Sequence, residues 1–477
     1  MLRRRFAFSV WVAVVLVALV GIEGCGGPTT DPNTTDPNTT DPNTVDPNTI
    51  DPNVTDPNTA DPNTSDPNEA LPALVKTLIS LSLNPGRIEA GDDIVVFGDN
   101  DTVYWLKAST TDPNATTATE ITGGTLFGTR NFRVAGKKVA LVRGSNQVAI
   151  FDTETGILTD VPGSQIELDP FVMPVEVQAP GHMAADGSLI ATINDADEVE
   201  DGNVIKVIDV SGSSPQVISF PNPDGFEGSF DQVAVDATTG RVAAHGESPG
   251  EMIYVFDVDD PNAIPLAIDV FEDGFQDNVQ MAIDGDYIIY GQGASDDRAL
   301  LDVTDGTITV FTNNPASPSL PVAIKGGSFG YFMFAEEADM TDDGQLFRSA
   351  IGEVADAPGS TTAGQLDNLG SQSACVSGGI AGYGRTMCIT PDGSRWFIAG
   401  IGPVDAAVEH LQMSTGGDFE TFDDPFNESQ TGTLMATDVS CSSNTVAFRA
   451  LRQTPNSGCL TNDEEVIGFI VLDRLTD

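Results

Sequence analysis

An all-β fold built from repeated units is what this 477-residue chain predicts. Three observations carry that reading. From about Val75 onward the sequence breaks into short runs rich in Val, Ile, Phe and Tyr between Gly, Asp and Asn, with no 3.6-residue periodicity over a helix-sized window. The runs come in adjacent pairs whose first members begin at Ile94, Val139, Leu189, Arg241, Tyr287, Phe332, Arg395 and Asn444, so neighbouring units lie 45 to 63 residues apart. That is the period of propeller blades and is too long for the coils of a β-helix. Finally, a tight turn precedes several pairs and an Asp closes several second strands, punctuation that recurs with the units. The fold class is therefore a single β-propeller of eight blades, with seven as the alternative if the first unit or the long gap before Arg395 is counted differently.

The units read in order as "IVVFGD" with "VYWLKA", "VALVRG" with "VAIFD", "LIATIND" with "VIKVIDV" and "RVAAHGE" with "MIYVFDV". They continue as "YIIYGQG" with "ALLDV", "FMFAEEAD" with "QLFRSAI", "RWFIAGIG" with "VEHLQMS" and "NTVAFRAL" with "VIGFIVLD". The preceding turns include "AADGSLIA", "DATTGRVAA", "AIDGDYIIY" and "TPDGSRWFI". The closing acids are Asp152, Asp209, Asp257, Asp302 and Asp473. Turn chemistry accounts for both marks, because Asp accepts hydrogen bonds from its own backbone and Gly supplies positive φ. The last pair ends near Asp477 without an outer strand, and "VKTLISLSL" (Val75–Leu83) is the run that fills this place and joins the ends of the ring.

Ahead of the array, residues 1–24 run from Arg3–Arg5 through the apolar stretch Phe6–Ile22, the layout of an export signal peptide, with an uncleaved N-terminal membrane anchor as the alternative. Residues 25–72 hold Cys25 and eight Asp-Pro-Asn pentads beginning at Asp31, after which residues 73–477 form the propeller. Proline at every fifth position removes backbone donors and biases the preceding Asp to extended conformations, so a solvated, disordered spacer is expected. Fully extended it would reach on the order of 100 Å at about 3.1 Å per residue. Asp-Pro-Asn also recurs at Asp112 and Asp260, where loop turns are expected.

The segment "IEGCGG" resembles the lipobox of bacterial lipoproteins in Ile22, Gly24 and Cys25, while Glu23 stands where that family has a small or apolar residue. The resemblance implies that Cys25 is the lipidated N-terminus of the mature chain, anchored to a membrane. By the family's sorting habit, Gly26 points to the outer membrane, with a periplasmic or surface-exposed body. "ITPDGSRWFIAG" and "VAIFDTETG" resemble bacterial propellers of the YVTN, TolB and WD40-like classes across most of residues 80–477. No Trp-Asp dipeptide occurs, so the chain departs from true WD40 repeats.

Charge excludes one class of partner. With 21 basic against 71 acidic side chains and a formal charge of −50, the surface repels nucleic acid and suits basic partners or divalent cations. The other four cysteines, Cys375, Cys388, Cys441 and Cys459, read as disulfides in an exported chain. Closeness in sequence favours Cys375 with Cys388 and Cys441 with Cys459. Acidic loops around Asp195, Asp197 and Asp201, and around Asp339, Asp342 and Asp343, offer hard oxygen ligands for a structural Ca²⁺ without matching the EF-hand spacing. "GGSFG" matches G-x-S-x-G around Ser328, but a strand-like run follows it where the nucleophile elbow needs a helix. His182, His245 and His410 fall in separate units with no carboxylate at a telling spacing, so each is expected to be packed or solvent-facing.

With no catalytic constellation assigned, the expected role is a non-enzymatic platform for a protein or glycan. The alternative is a propeller hydrolase or lactonase with a divalent cation held in the central channel by acidic and amide side chains. A structural envelope protein assembling through its faces is a third class.

Overall fold

The computed structural model describes residues between 79 and 472. It omits 81–84, 109–116, 123–131, 167–181, 196–202, 271–280, 312–321, 335–343, 351–385, 400–410, 415–419, 422–432, 454–463 and a few shorter loop stretches. The described residues are strands and turns without a helix, arranged in eight antiparallel sheets. Seven have four strands, and the sixth has three among the described residues.

Each sheet follows the chain strand by strand. Numbered in chain order, their first strands are Pro85–Gly91, Phe132–Ala135, Met183–Asp186, Phe230–Asp236, Ala282–Asp284, Val322–Lys325, Thr386–Ile389 and Thr433–Cys441. Every first strand contacts the first strands of the sheets before and after it, and that of sheet 8 returns to sheet 1. The cycle is closed, the sheets radiate from it, and the fold is a β-propeller. Sheet 8 takes its outer strand from the beginning of the array: Ile79 pairs with Ile467 and Ser80 with Val466. The expected joining of the two ends is therefore present, and it covers what would otherwise be an open edge.

Burial grades outward along each sheet and explains the sequence texture. Second and third strands are sandwiched by neighbouring sheets and read as continuous apolar runs, such as Lys138–Val142 and Met252–Asp257. Outer strands such as Leu266–Asp269 and Gln216–Ser219 are largely exposed. The core thus lies between sheets. Between sheets 3 and 4, Ile193, Ile205 and Val207 pack against Phe230, Val233, Tyr254 and Phe256. The Phe230 ring is fully buried, with its centroid 4.4 Å from that of Phe226 and 5.7 Å from that of Tyr254. Between sheets 8 and 1, Ile88, Val95 and Phe97 meet Ala447, Ile467 and Phe469, which welds the closure.

A first strand has one edge outside its own ladder, and side chains from the previous sheet satisfy its N–H groups. Val134 donates to Glu89 Oε2 at 2.7 Å, Phe230 to Asn203 Oδ1 at 2.7 Å, Met281 to Gln232 Oε1 at 2.9 Å and Ala90 to Ser440 Oγ at 3.0 Å. The turn acids behave as expected. Asp152, Asp209, Asp257 and Asp302 each accept a backbone N–H two residues on, at 2.8 to 2.9 Å. The internal Asp-Pro-Asn at Asp260 makes a turn closed by Ala263 N–H on the Asp260 carbonyl at 3.0 Å. Asp112 and Asp473 lie outside the described residues.

The cysteine pairing differs from the sequence expectation. Cys388 in the first strand of sheet 7 is bonded to Cys441, the last residue of the first strand of sheet 8, with Cα atoms 5.6 Å apart. Closeness in sequence lost to closeness around the ring, because adjacent first strands run side by side while 53 residues separate the two sulfurs along the chain. Cys375 and Cys459, the partners expected from spacing, lie outside the described residues.

Candidate functional site

Asp186, Asp236, Asp284 and Lys325 occupy the same place in successive units, each being the last residue of the first strand of sheets 3, 4, 5 and 6. The ring brings these positions to one mouth of the channel. Lys325 Nζ lies 2.9 Å from Asp186 Oδ2, 3.5 Å from Asp236 Oδ1 and 3.8 Å from Asp284 Oδ1. Because sheets 3 and 6 are not neighbours, the contact with Asp186 crosses the inside of the ring.

Each acid also clips its sheet to the next. Ala237 N–H donates to Asp186 Oδ2 at 2.8 Å, Gly285 N–H to Asp236 Oδ2 at 2.9 Å and Gly327 N–H to Asp284 Oδ2 at 3.0 Å. Asp236, whose side chain is 0 % exposed, further accepts from Thr239 Oγ1 at 2.6 Å and Thr238 N–H at 3.0 Å. Burial pushes its carboxyl up, but Thr239, Gly285, Lys325 and Thr238 together outweigh this and hold it below the ordinary value. For Lys325, burial pulls the ammonium down, while Asp186 foremost, then Asp236 and Asp284, raise it above the ordinary value. The arrangement is a densely bonded ion cluster: three carboxylates, four backbone donors, the Thr239 hydroxyl and one ammonium.

A second polar constellation lies at the opposite end of sheet 4. The His245 side chain is 1 % exposed, with Nδ1 2.7 Å from Asp231 Oδ1 and Nε2 2.7 Å from Glu251 Oε2. Asp231 and Glu251 are half-buried, and Asp231 Oδ2 is buried without a hydrogen-bond partner. Each ring nitrogen thus faces a carboxylate oxygen at hydrogen-bond distance. The sequence expectation of a histidine without carboxylates is corrected here. Strand pairing carries His245 beside the strand that bears Asp231, and the following hairpin returns Glu251 to the ring's other side.

Cys25, Cys375, Cys459, Asp197, Asp201, Asp339, Asp342, Asp343 and His410 lie outside the described residues. Asp195 closes the second strand of sheet 3, and the described residues contain no group of three His, Cys, Asp or Glu side chains placed to hold a metal ion. Ser328 opens the second strand of sheet 6 after the Gly326–Gly327 turn. It is part of a β-hairpin and not a strand-to-helix elbow. The cluster around Lys325 was missed as a site because Asp186 and Asp284 sit in Asp-Gly pairs, whose signal is that of a turn; only their shared register with Lys325 hinted at convergence.

No family model matches the chain, and no curated protein matches it. Among solved structures it is similar to the computationally designed Ika8 protein, at 12% identity and a TM-score of 0.45 over 83% of this chain and 99% of that one. It is likewise similar to BamB from Moraxella catarrhalis, at 12% identity and a TM-score of 0.41 over 83% and 98% of the two chains. A third is the β-propeller domain of the Trilobed protease from Pyrococcus furiosus, at 12% identity and 0.38 over 84% and 99%. The fold assignment rests on the strand pairing and ring closure described above.

Proposed function

We propose that this chain is a bacterial cell-envelope lipoprotein, anchored through Cys25 to the outer membrane, whose propeller is a non-enzymatic platform for a protein or glycan partner.

 The reading rests on the segment around Cys25, on the pentad spacer that follows it, and on one structural observation. The three aspartates that converge at the channel mouth are already engaged by backbone N–H groups of the next sheet and by the Lys325 ammonium. A cluster satisfied in this way holds the ring together, and recognition falls to the surfaces around it. The spacer would carry those surfaces away from the bilayer.

The hydrolase reading has one observation in its favour, the convergence of acids in the channel. It would require Lys325 to leave so that a divalent cation could take its place.

Two measurements on the full chain test the proposal. Metabolic labelling with an alkyne fatty acid should mark the wild type and not Cys25→Ala, and the variant should leave the membrane fraction. Photo-cross-linking residues placed in the loops should capture one recurrent protein or glycan in cells. Stoichiometric divalent metal in the purified protein together with turnover of ester or lactone substrates would overturn the non-enzymatic reading.

A further inference from the structure

The connection between the third and outer strands of sheet 4 is the longest of its kind in sheets 2 to 5. It runs over residues 258–265, against 153–156, 210–215 and 303–306 in sheets 2, 3 and 5. Its conformation is fixed from several sides. Val258 packs on the core between sheets 3 and 4, and its N–H donates at 2.8 Å to the carbonyl of Gly240, in the turn that follows Asp236. Asp257 Oδ1 accepts Asp259 N–H at 2.9 Å, and Ala263 N–H closes a turn on the Asp260 carbonyl at 3.0 Å. Pro261 and Pro265 lock their own φ, and Pro265 biases Ile264 to extended backbone. The hairpin thus stands on the ring face that carries the ion cluster, with its shape set in advance.

Its tip is apolar where turn chemistry asks for polar residues. Ile264 is 88 % exposed and Leu266 47 % exposed, with exposed Ala263 beside them. An isoleucine in that state adds almost nothing to the core, so its worth to the fold is small. Among the described residues the next most exposed large apolar side chain is Ile157, at 59 % on the outer strand of sheet 2.

Charge narrows the occupant. From Val242 to Asp297 the sequence contains no Lys or Arg, and Asp257, Asp259 and Asp260 surround the tip with exposed side chains. Arg241, the nearest base before that stretch, is paired with Asp286 of sheet 5. Two copies of this hairpin facing each other would repel, and so would an anionic lipid surface. A protein surface with an apolar pocket and a basic rim meets both features.

We infer that residues 257–266 form a docking knob that seats Ile264, flanked by Leu266, in an apolar pocket of a partner protein whose rim carries Lys or Arg. The inference rests on the reading of the propeller as a binding platform and names one element of it and the chemistry of its partner. Because the knob is shaped before contact, little ordering of its own chain opposes association.

The test uses the full chain in membranes of the cells that make it, with the photo-cross-linker benzoylphenylalanine placed at Ala263. One recurrent partner peptide is expected, with Lys or Arg beside apolar residues. Ile264→Asp should lower the cross-linking yield at least about tenfold. Asp259→Asn with Asp260→Asn, or about 0.5 M NaCl, should lower it about three- to tenfold. Ile157→Asp, on another outer strand, should leave it within about twofold. All these variants should keep the wild-type melting temperature, since the altered side chains are exposed. No cross-link from Ala263, a captured surface without Lys or Arg, a yield indifferent to Ile264→Asp, or a cross-link to a second copy of this chain would overturn the inference. If cross-linkers in other loops still capture a partner, the platform reading stands and only the knob is lost; if none does, both fall.

Discussion

Lys325 Nζ stands 2.9 Å from Asp186 Oδ2, although 139 residues and two intervening first strands separate them. The contact ties sheets 3 and 6, which are not neighbours in the ring, and with Asp236 and Asp284 it places one ammonium among three carboxylates.

Replacing Lys325 by Met keeps the stem and removes the charge. Three partly or fully buried carboxylates are then left without their cation, and a loss of about 3 kcal/mol is expected, because breaking a buried ion pair costs more than never having made it. Adding Asp186→Asn and Asp284→Asn should recover part of the loss. Urea melts of the three proteins check this, and an unchanged midpoint in Lys325→Met would show that the cluster does not hold the ring.

The same cluster sets a pH dependence at both ends. Asp236 has a lowered carboxyl value when folded, so its contribution is present above the ordinary 3.8 and is lost as pH falls through the folded value. Lys325 is raised when folded, so its contribution is present below the ordinary 10.5 and is lost as pH rises through the folded value. Stability followed from pH 7 to pH 2 should fall less steeply below about pH 4 in Asp236→Asn than in the wild type, from a lower starting point.

His245→Ala should cost about 2 to 3 kcal/mol, since it leaves Asp231 and Glu251 facing a cavity without the imidazole between them. Hydrogen exchange should show the loosening at the Phe230 and Gly246 end of sheet 4 more than at the Asp236 end. A uniform change across the sheet would argue against the local role.

Non-reducing peptide mapping should recover Cys388 joined to Cys441. In the chain-entropy picture a cross-link over 53 residues contributes about 4 kcal/mol, so Cys441→Ala should lower the melting temperature by several degrees. Recovery of Cys441 joined to Cys459 would instead return the pairing to sequence neighbours.

Gly326 should resist substitution. Its φ is +58°, and a methyl there would run into the backbone of Gly393 in sheet 7. Gly326→Ala is therefore expected to destabilise the protein by about 2 kcal/mol or more in thermal melts, combining left-handed strain with a backbone clash.

What the chain itself determined is local. Paired β-runs, their spacing, the Asp and Gly turns, and the early strand that meets Ile467 can all be read from the residues, because strand patterning and turn chemistry act over a few positions. The partners of Lys325, His245 and Cys388 could not be read so. Asp186 and Asp236 look like ordinary turn acids, Glu251 sits six residues past His245 with no helical or alternating pattern to join them, and Cys441 competes with nearer cysteines. Closure of the ring decides the contacts of Lys325 and Cys388, since it sets which first strands lie side by side and which residues meet inside the ring, while those of His245 follow from strand pairing and the hairpin within sheet 4.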